Sequence, residues 1–428
     1  MTNLGPDADE ARKRREFRLP RGHVPELTAP RRDYVLRFFR TLGYEASGLP
    51  DRRLVDVFSL LARIEEYTTG VRHNRHNWEL DYAPLDRARQ ATVPVIETWT
   101  AEWAGQGALK PLPDAPPRWP DGKRFALCLT HDVDTVSGDV FRARWRSLPA
   151  FRRAPFREKV IVGLSTARAL ARKCTPGLRP PDPLLAEWMD EEARHGFTSS
   201  FFFLAQPLPE PDWEDSFYRY SDRVSYDGTR TPVREVMKDL IRRGWDVGLH
   251  GSSRSHASPA LLARERSIVS EACGADVVTV RQHHLFYDAR YTPLYQTEAG
   301  LQADSSLGSN NRTCFRCGAG IPFELYDIIS DRALGILEIP LIIQDVALFR
   351  VLQMDADLAL EHCVDVMRVV AEAGGAMTIL WHNDHLATDA AFAVYRTLLD
   401  EADGMGAWGC SARELSQWWR GRAGRQSE

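Results

Sequence analysis

The 428-residue chain lacks the features that would mark a membrane protein or a secreted protein. It has no uninterrupted apolar run of the roughly 20 residues that a membrane-spanning helix needs. Its most apolar stretch, residues 333–349, is interrupted by Glu338, Gln344 and Asp345. The first residues, MTNLGPDADEARKRREF, contain basic side chains but no apolar segment after them, so we expect no secretory signal.

Cysteine and an excess of positive charge are also scarce. Seven cysteines in a chain of this length are too few and odd in number for a disulfide framework. With 55 Lys and Arg against 59 Asp and Glu, the net charge of −4 does not favour nucleic-acid binding. There is no GxGxxG after the first predicted strand and no GxxxxGK[ST], which argues against a nucleotide-binding sheet. We therefore expect a cytoplasmic protein without a membrane span or a nucleic-acid partner.

The sequence divides into four predicted regions. The charged residues 1–17 are predicted to be a disordered tail. Residues 18–110 are predicted to be mainly helical, because apolar side chains recur three and four apart between Leu54 and Ile64. Residues 111–123 contain five prolines and indicate a linker or a segment that wraps around the next region.

From residue 124 to residue 428, short β-type runs alternate with longer amphipathic ones. The predicted strands are FALCL (125–129), SSFFFL (199–204), WDVGL (245–249), VVTV (277–280), ILEIPLI (336–342) and MTILW (377–381). Helical patterns lie between them, several followed by a glycine suited to the left-handed position after a helix. Such alternation predicts a parallel sheet covered by helices, either a closed β/α barrel or an open doubly wound sheet.

Histidines cluster directly after the predicted strands. Seven of the twelve lie in THDVD (130–134), HGSSRSH (250–256), RQHH (281–284) and WHNDH (381–385). In parallel β/α folds the carboxyl ends of the strands surround the active site. The pattern therefore predicts a metal site or an acid/base site at this edge.

Imidazoles and carboxylates together suit a divalent transition metal, typically zinc, with three protein ligands and an open position for water. Such chemistry also needs a carboxylate base and a proton donor for the leaving group. Asp132 and Asp134, separated by one residue at a strand end, are candidate carboxylates. A turn or a helix cap is the alternative role for this pair.

Five segments, THDVD, GLHGS, VRQH, ADSSLG and TILWH, occur in this order over residues 124–419. They resemble the motifs of the polysaccharide deacetylases with a NodB-homology domain, carbohydrate esterase family four. The resemblance is stronger to an uncharacterised bacterial branch with HDVD, RQH and WHN segments. It implies an α/β fold, namely a distorted (β/α) barrel of NodB-homology type, here with a mainly helical N-terminal extension.

The resemblance also implies roles for individual residues. Asp132 corresponds to the catalytic base and Asp134 to a metal ligand. Arg281 corresponds to the arginine that orients the base. Leu380-Trp381-His382 matches the family's Leu-x-His, so His382 is the implied general acid.

The family's second motif usually carries two ligand histidines four residues apart, and this sequence departs from it. His250 matches the first histidine, but the position of the second is occupied by Arg254, which cannot ligate a metal. His256 or His283 would have to supply the third ligand. We favour His283, because a strand end holds a ligand more rigidly than a serine-rich loop.

The implied function is a metal-dependent hydrolase, most simply with Zn²⁺, that removes an acetyl group from an N-acetylated sugar or glycan precursor. The alternatives are a hydrolase of a non-sugar C–N amide bond and a non-catalytic glycan-binding barrel. Asp304, in ADSSLG, is predicted either to orient His382, or to bind substrate, or to form a turn.

Overall fold

The computed structural model describes residues 6–20, 22–68, 93–136, 185–383 and 389–425, together with residues 146, 156, 159–160, 163 and 167. Within these residues, no helix is both long enough and apolar enough to cross a lipid bilayer.

Fourteen strands are present in the described part of the chain. They are β1 (Tyr44–Glu45), β2 (Lys110–Pro111), β3 (Phe125–Val133), β4 (Ser200–Leu204), β5 (Arg223–Tyr226), β6 (Thr229–Pro232), β7 (Asp246–Gly251), β8 (Thr279–Gln282), β9 (Ala303–Asp304), β10 (Phe323–Asp327), β11 (Arg332–Glu338), β12 (Leu341–Gln344), β13 (Ala376–Leu380) and β14 (Ala407–Cys410).

Eleven α-helices accompany these strands among the described residues. They are α1 (Pro6–Glu16), α2 (Ala29–Leu42), α3 (Asp51–Leu61), α4 (Val95–Gly105), α5 (Leu185–Arg194), α6 (Val233–Arg242), α7 (Pro259–Cys273), α8 (Thr292–Glu298), α9 (Ala356–Glu372), α10 (Asp389–Gly404) and α11 (Ala412–Arg425).

Ten of the strands form one curled sheet, in the order β10-β11-β9-β8-β7-β4-β3-β13-β12, with β14 paired to β3. All pairs are parallel except β10 with β11. Strands β11 and β12 follow one another closely, and the first pairs with β9 while the second pairs with β13. The segment from β11 to β12 thereby joins the two ends of the curled sheet, which confirms the predicted distorted (β/α) barrel.

Each predicted strand overlaps an observed one, but β8 begins only at Thr279 of the VVTV run, and the ILEIPLI run is interrupted. This run is divided between β11 and β12, with Ile339 and Pro340 between them. Pro340 has no N–H to donate to a strand ladder, so it interrupts the pairing where the chain moves from β9 to β13.

The predicted helix ends are also present. The Ser258 side chain accepts a hydrogen bond from the backbone N–H of Leu261 at the start of α7, where Pro259 is the first helical residue. Gly244 and Gly374, which follow α6 and α9, have φ of 96° and 61°, as the sequence predicts for residues that end a helix.

The N-terminal helices pack directly against the barrel. Phe58 of α3 and Tyr34 of α2 contact the ring of Tyr326 in β10. The Tyr34 hydroxyl also donates to the backbone carbonyl of Glu324. One hydrophobic core therefore includes side chains of the N-terminal region and of the barrel, while the predicted domain boundaries remain predictions.

In contrast to the predicted disordered tail over residues 1–17, the described part of that tail is the helix α1. Arg14 of this helix is buried, and its guanidinium donates to the Asp327 carboxylate at 2.8 Å and to the backbone carbonyl of Arg290. This buried ion pair with β10 is a tertiary contact, and composition alone did not indicate it.

The proline-rich segment 111–123 lies against the barrel. Trp119 is buried, and its indole N–H donates to the backbone carbonyl of Gly374 at 2.9 Å. Arg118 donates to the carbonyls of Ala373 and Gly374. Of the two predicted roles, the structure shows the wrapping segment.

Glu97 of α4 provides a test of how the N-terminal region is held. Its buried Oε1 accepts the backbone N–H groups of Gly320 (2.7 Å) and Ile321 (3.0 Å). Glu97→Ala leaves both donors buried and unpaired, so we expect a loss of about 2–5 kcal/mol in the free energy of unfolding, measured by urea denaturation. Glu97→Gln keeps the acceptor oxygen and should cost far less.

The matched control is Glu102→Ala on the same helix. Glu102 is exposed, and its carboxylate accepts from the exposed Gln106 side chain, so its loss should cost less than about 0.5 kcal/mol. Equal losses in Glu97→Ala and Glu102→Ala would contradict the role of Glu97.

Candidate functional site

The candidate site is a cavity of about 230 Å³ at the carboxyl ends of β3, β7, β8 and β13. These parallel strands run in the same direction, so the residues that close them meet at this edge of the sheet. The cavity is lined by Asp132, Asp134, His250, His283, His382 and nine further residues. Among the described residues, the cavity thus brings together every predicted base, acid and ligand.

Asp134, His250 and His283 form the one group of three that could hold a metal within the described residues. One ligand atom from each lies within 4.8 Å of the other two. The Nε2 atoms of both histidines are 3.5 Å from Oδ1 of Asp134. The predicted ligand set is therefore brought together in space.

The other ring nitrogen of each histidine, Nδ1, contacts a protein oxygen on the side away from Asp134. His250 Nδ1 donates to the backbone carbonyl of Arg281 at 3.0 Å. His283 Nδ1 lies 3.4 Å from the Asp215 carboxylate. In neutral imidazoles, both contacts place the single N–H on Nδ1 and leave the Nε2 lone pair directed toward Asp134, which is the tautomer that a metal ligand requires.

Asp134 contributes the oxygen atom of this group of three, Oδ1. Its Oδ1 is buried and has no hydrogen-bond partner within the described part of the chain, although buried carboxylate oxygens normally have one. Burial alone would raise the pKa of Asp134, but the neighbouring His283, His250 and His382 lower it well below its usual value. An anionic oxygen 3.5 Å from two imidazole Nε2 atoms fits a divalent cation, and the donor set is one that zinc accepts.

Asp215 is a functional candidate that the sequence reasoning missed. Its carboxylate is buried and also accepts the backbone N–H (2.8 Å) and hydroxyl (2.6 Å) of Ser253. It therefore fixes both the ring of His283 and the loop after β7. Asp215 lies in a loop between β4 and β5 with no strand-end pattern, so no local signal marked it.

Asp132 is held by Arg281, as the resemblance implied. The Arg281 guanidinium is completely buried and lies 3.4 Å from Oδ1 of Asp132. It is fixed in turn by the Thr130 hydroxyl and by the carbonyl and hydroxyl of Ser305. Thr130 and Asp132 are two residues apart on β3 and so lie on the same face of the strand.

His382 forms a close pair with Asp345, which directly follows β12. Oδ1 of Asp345 lies 2.7 Å from Nδ1 of His382, and Oδ2 accepts the His382 backbone N–H at 2.8 Å. Burial lowers the pKa of His382, but Asp345, with Asp134 and Asp132 farther away, raises it to about 10. The imidazole is thus a proton donor at neutral pH.

The sequence reasoning noted Asp345 only as an interruption of an apolar run. Asp304, the residue considered for orienting His382, instead accepts hydrogen bonds from Gln296 and Ser306. A charged residue directly after a buried strand was the available signal for Asp345.

His256 lies apart from the group of three ligands. Its Nδ1 contacts the carbonyl of Ser253, and its ring packs against Phe286 and Tyr291. Burial lowers its pKa to about 4. Arg254 is paired with Asp212, and His385 lies outside the described residues.

Comparisons with known proteins give matches to solved structures alone. No family model matches the chain, and no curated protein is similar to it. Two proteins provisionally named polysaccharide deacetylases are similar in structure, from Mycobacterium smegmatis (18% identity, TM-score 0.47) and from Pseudomonas aeruginosa PAO1 (13% identity, TM-score 0.45). An allantoinase is similar at 13% identity and a TM-score of 0.46. Each match covers 72% of this chain and 95% of the other. The activity has to be argued from the site itself.

The pair of His382 and Asp345 predicts a pH-dependent stability. The folded-state pKa of about 10 lies above the roughly 6.5 of an unfolded histidine, so the contribution is complete below about pH 6.5 and is lost as the pH rises through about 10. In metal-free protein, we expect Asp345→Asn to lower the free energy of unfolding by roughly 3 kcal/mol at pH 6.5 and by less at pH 10.

The control is Asp365→Asn, which removes the exposed pair of Asp365 with Arg368. It should change the free energy of unfolding by less than about 1 kcal/mol at either pH. A deficit in Asp345→Asn that stays constant from pH 6.5 to pH 10 would contradict the charged state of His382.

Proposed function

We propose that this protein is a metal-dependent hydrolase that removes an acetyl group from an N-acetylated sugar or glycan precursor. The observation that carries the proposal is the content of one cavity, which holds a possible metal triad, a carboxylate and a proton-donating histidine. These are the parts that metal-assisted amide hydrolysis requires.

Asp134, His250 and His283 would hold the metal, and zinc suits one carboxylate and two imidazoles. When bound, the metal supplies Lewis acidity, which polarises the acyl carbonyl and lowers the pKa of a water molecule. Asp215 and the Arg281 carbonyl would keep the two imidazole rings in the ligating orientation.

Asp132 is the proposed base. It shares the cavity with the triad, and its Oδ2 is 3.8 Å from Nε2 of His250. The buried Arg281 guanidinium beside Oδ1 fixes the orientation of the carboxylate. Asp132 would accept one proton from the water that adds to the acyl carbon.

His382 is the proposed acid. Its Nδ1 is occupied by Asp345, so the proton on Nε2 is the one available to the cavity. When the C–N bond breaks, this proton passes to the departing amine nitrogen, and the acyl group leaves as acetate. Amide plus water thus gives amine plus acetic acid, which ionises to acetate and a proton. Asp132 gains one proton and His382 gives one up, so the net protonation of the enzyme does not change.

Amide side chains in the cavity lining support a sugar substrate. Asn310, Asn311 and Gln344 contribute amide groups there, and amides donate to and accept from hydroxyl and acetamido groups. A non-catalytic glycan-binding barrel would need such amides but no buried base paired with an acid. The combination of Asp132 and His382 therefore supports catalysis.

Metal analysis tests the ligand assignment. Purified wild-type protein should contain about one equivalent of zinc, measured by plasma mass spectrometry after dialysis. Asp134→Ala, His250→Ala and His283→Ala should each lose it, because two remaining ligands hold catalytic zinc poorly. His256→Ala is the matched control and should keep the metal; loss of zinc in this variant, with retention in His283→Ala, would reverse the assignment.

An acetate-release assay tests the function. Wild-type protein should release acetate from N-acetylated amino sugars, and Asp132→Asn should keep its zinc while losing about 10²–10⁴-fold in kcat. Turnover of non-sugar amides without turnover of N-acetylated sugars would favour the alternative function, a hydrolase of a non-sugar C–N amide bond. Zinc-loaded protein that releases no acetate from either class would contradict the proposal.

A further inference from the structure

A second polar cluster lies on the face of β3 opposite the cavity. His131 sits between Thr130 and Asp132, so its side chain points away from the cavity and toward α5 and α10. There it meets Glu192 of α5, and neither side chain has any exposed surface. The proposed mechanism makes no use of this buried pair.

The partners of Glu192 bear on the charge state of the pair. Glu192 Oε1 lies 2.8 Å from Nε2 of His131 and also accepts the Tyr395 hydroxyl at 2.8 Å. Its Oε2 accepts the Ser199 hydroxyl (2.8 Å) and the Trp245 indole N–H (2.6 Å). Four partners surround the carboxyl group, as many as an ionised carboxylate has acceptor positions.

The two partners of His131 are then both acceptors. Nδ1 lies 2.8 Å from the backbone carbonyl oxygen of Trp381, which can only accept, and Nε2 faces the Glu192 carboxylate. The Tyr395 hydroxyl, 3.5 Å from Nε2, is too distant to replace that bond. With Glu192 ionised, both ring nitrogens would carry hydrogen, and His131 would be a buried imidazolium.

The carbonyl that His131 holds belongs to the peptide group between Trp381 and His382. The N–H of that same peptide group is held by Oδ2 of Asp345, whose Oδ1 holds the His382 ring. His131 thus holds the C=O of this peptide group, and Asp345, which directly follows β12, holds its N–H. Its orientation sets the direction in which the His382 side chain leaves the backbone.

We propose that His131, charged and held by Glu192, is a positioning residue for His382. His131 does not line the cavity, so it acts through the Trp381 carbonyl rather than on substrate. This inference rests on the proposed function for its effect on catalysis, whereas the charge state of His131 is independent of it.

Three variants separate positioning from stability. His131→Phe keeps the ring that stacks on Phe201 but removes both hydrogen bonds. Glu192→Gln preserves the connection, because its amide can donate to a neutral His131 that still donates to Trp381. Tyr395→Phe removes another hydrogen bond to Glu192 and leaves the bond to Trp381 intact.

We expect His131→Phe to lower kcat at least about tenfold with unchanged KM and zinc content, since small displacements of a catalytic group cost rate rather than binding. Glu192→Gln should retain most of kcat, and Tyr395→Phe should stay within about twofold of wild type. If His131→Phe does not fold, His131→Gln replaces it, because its amide reaches only one of the two acceptors. A kcat loss no larger than that of Tyr395→Phe would overturn the positioning role.

NMR of protein labelled with ¹⁵N-histidine gives readouts that need no activity. One ring should change from the imidazolium to the neutral pattern in Glu192→Gln and remain imidazolium in Tyr395→Phe. The backbone amide signal of His382, identified by its loss in His382→Gln, should shift in the His131 variant and not in Tyr395→Phe. Unchanged rings in Glu192→Gln would overturn the charge state, and an unmoved His382 amide would overturn the positioning, whether or not acetate is released.

Discussion

The pairing of β3 with three other strands is the constraint on which the rest of this structure depends. Along one edge β3 pairs with β13, and along the other it pairs with β14 near its start and with β4 near its end. This nine-residue strand is buried throughout. Its pairing fixes the register of Asp132 and Asp134 against the end of β13, and hence against His382.

Side chains alternate between the two faces of β3, and the two faces have different partners. Thr130 and Asp132 face the barrel interior, where Arg281 satisfies them. His131 faces the helical layer, where Glu192 and the Trp381 carbonyl satisfy it. Burying a strand that is polar on both faces is costly unless every polar group finds a partner. Here the carbonyl that His131 contacts on the outer face belongs to the peptide group that leads to His382 in the cavity.

Carboxylates from outside the motifs orient three histidines of the site and its surroundings. Asp215 holds His283, Asp345 holds His382 and Glu192 holds His131. Each comes from a different element, a loop, a strand end and a helix. These histidine rings are therefore held by contacts with residues distant in the chain. A loop that lacked such contacts would not hold the rings to the accuracy that catalysis needs.

The sequence by itself determined the α/β class, the strands that carry the site and the residues that meet at their ends. Strand periodicity and the clustering of histidines after strands are local signals, and parallel strands necessarily end at one edge. Only the tertiary structure decided that His283 rather than His256 approaches Asp134 and His250, and that Asp345 rather than Asp304 reaches His382. It also decided that α1 is held on the barrel by Arg14. These outcomes depend on distances between residues far apart in the chain, which spacing along the sequence does not encode.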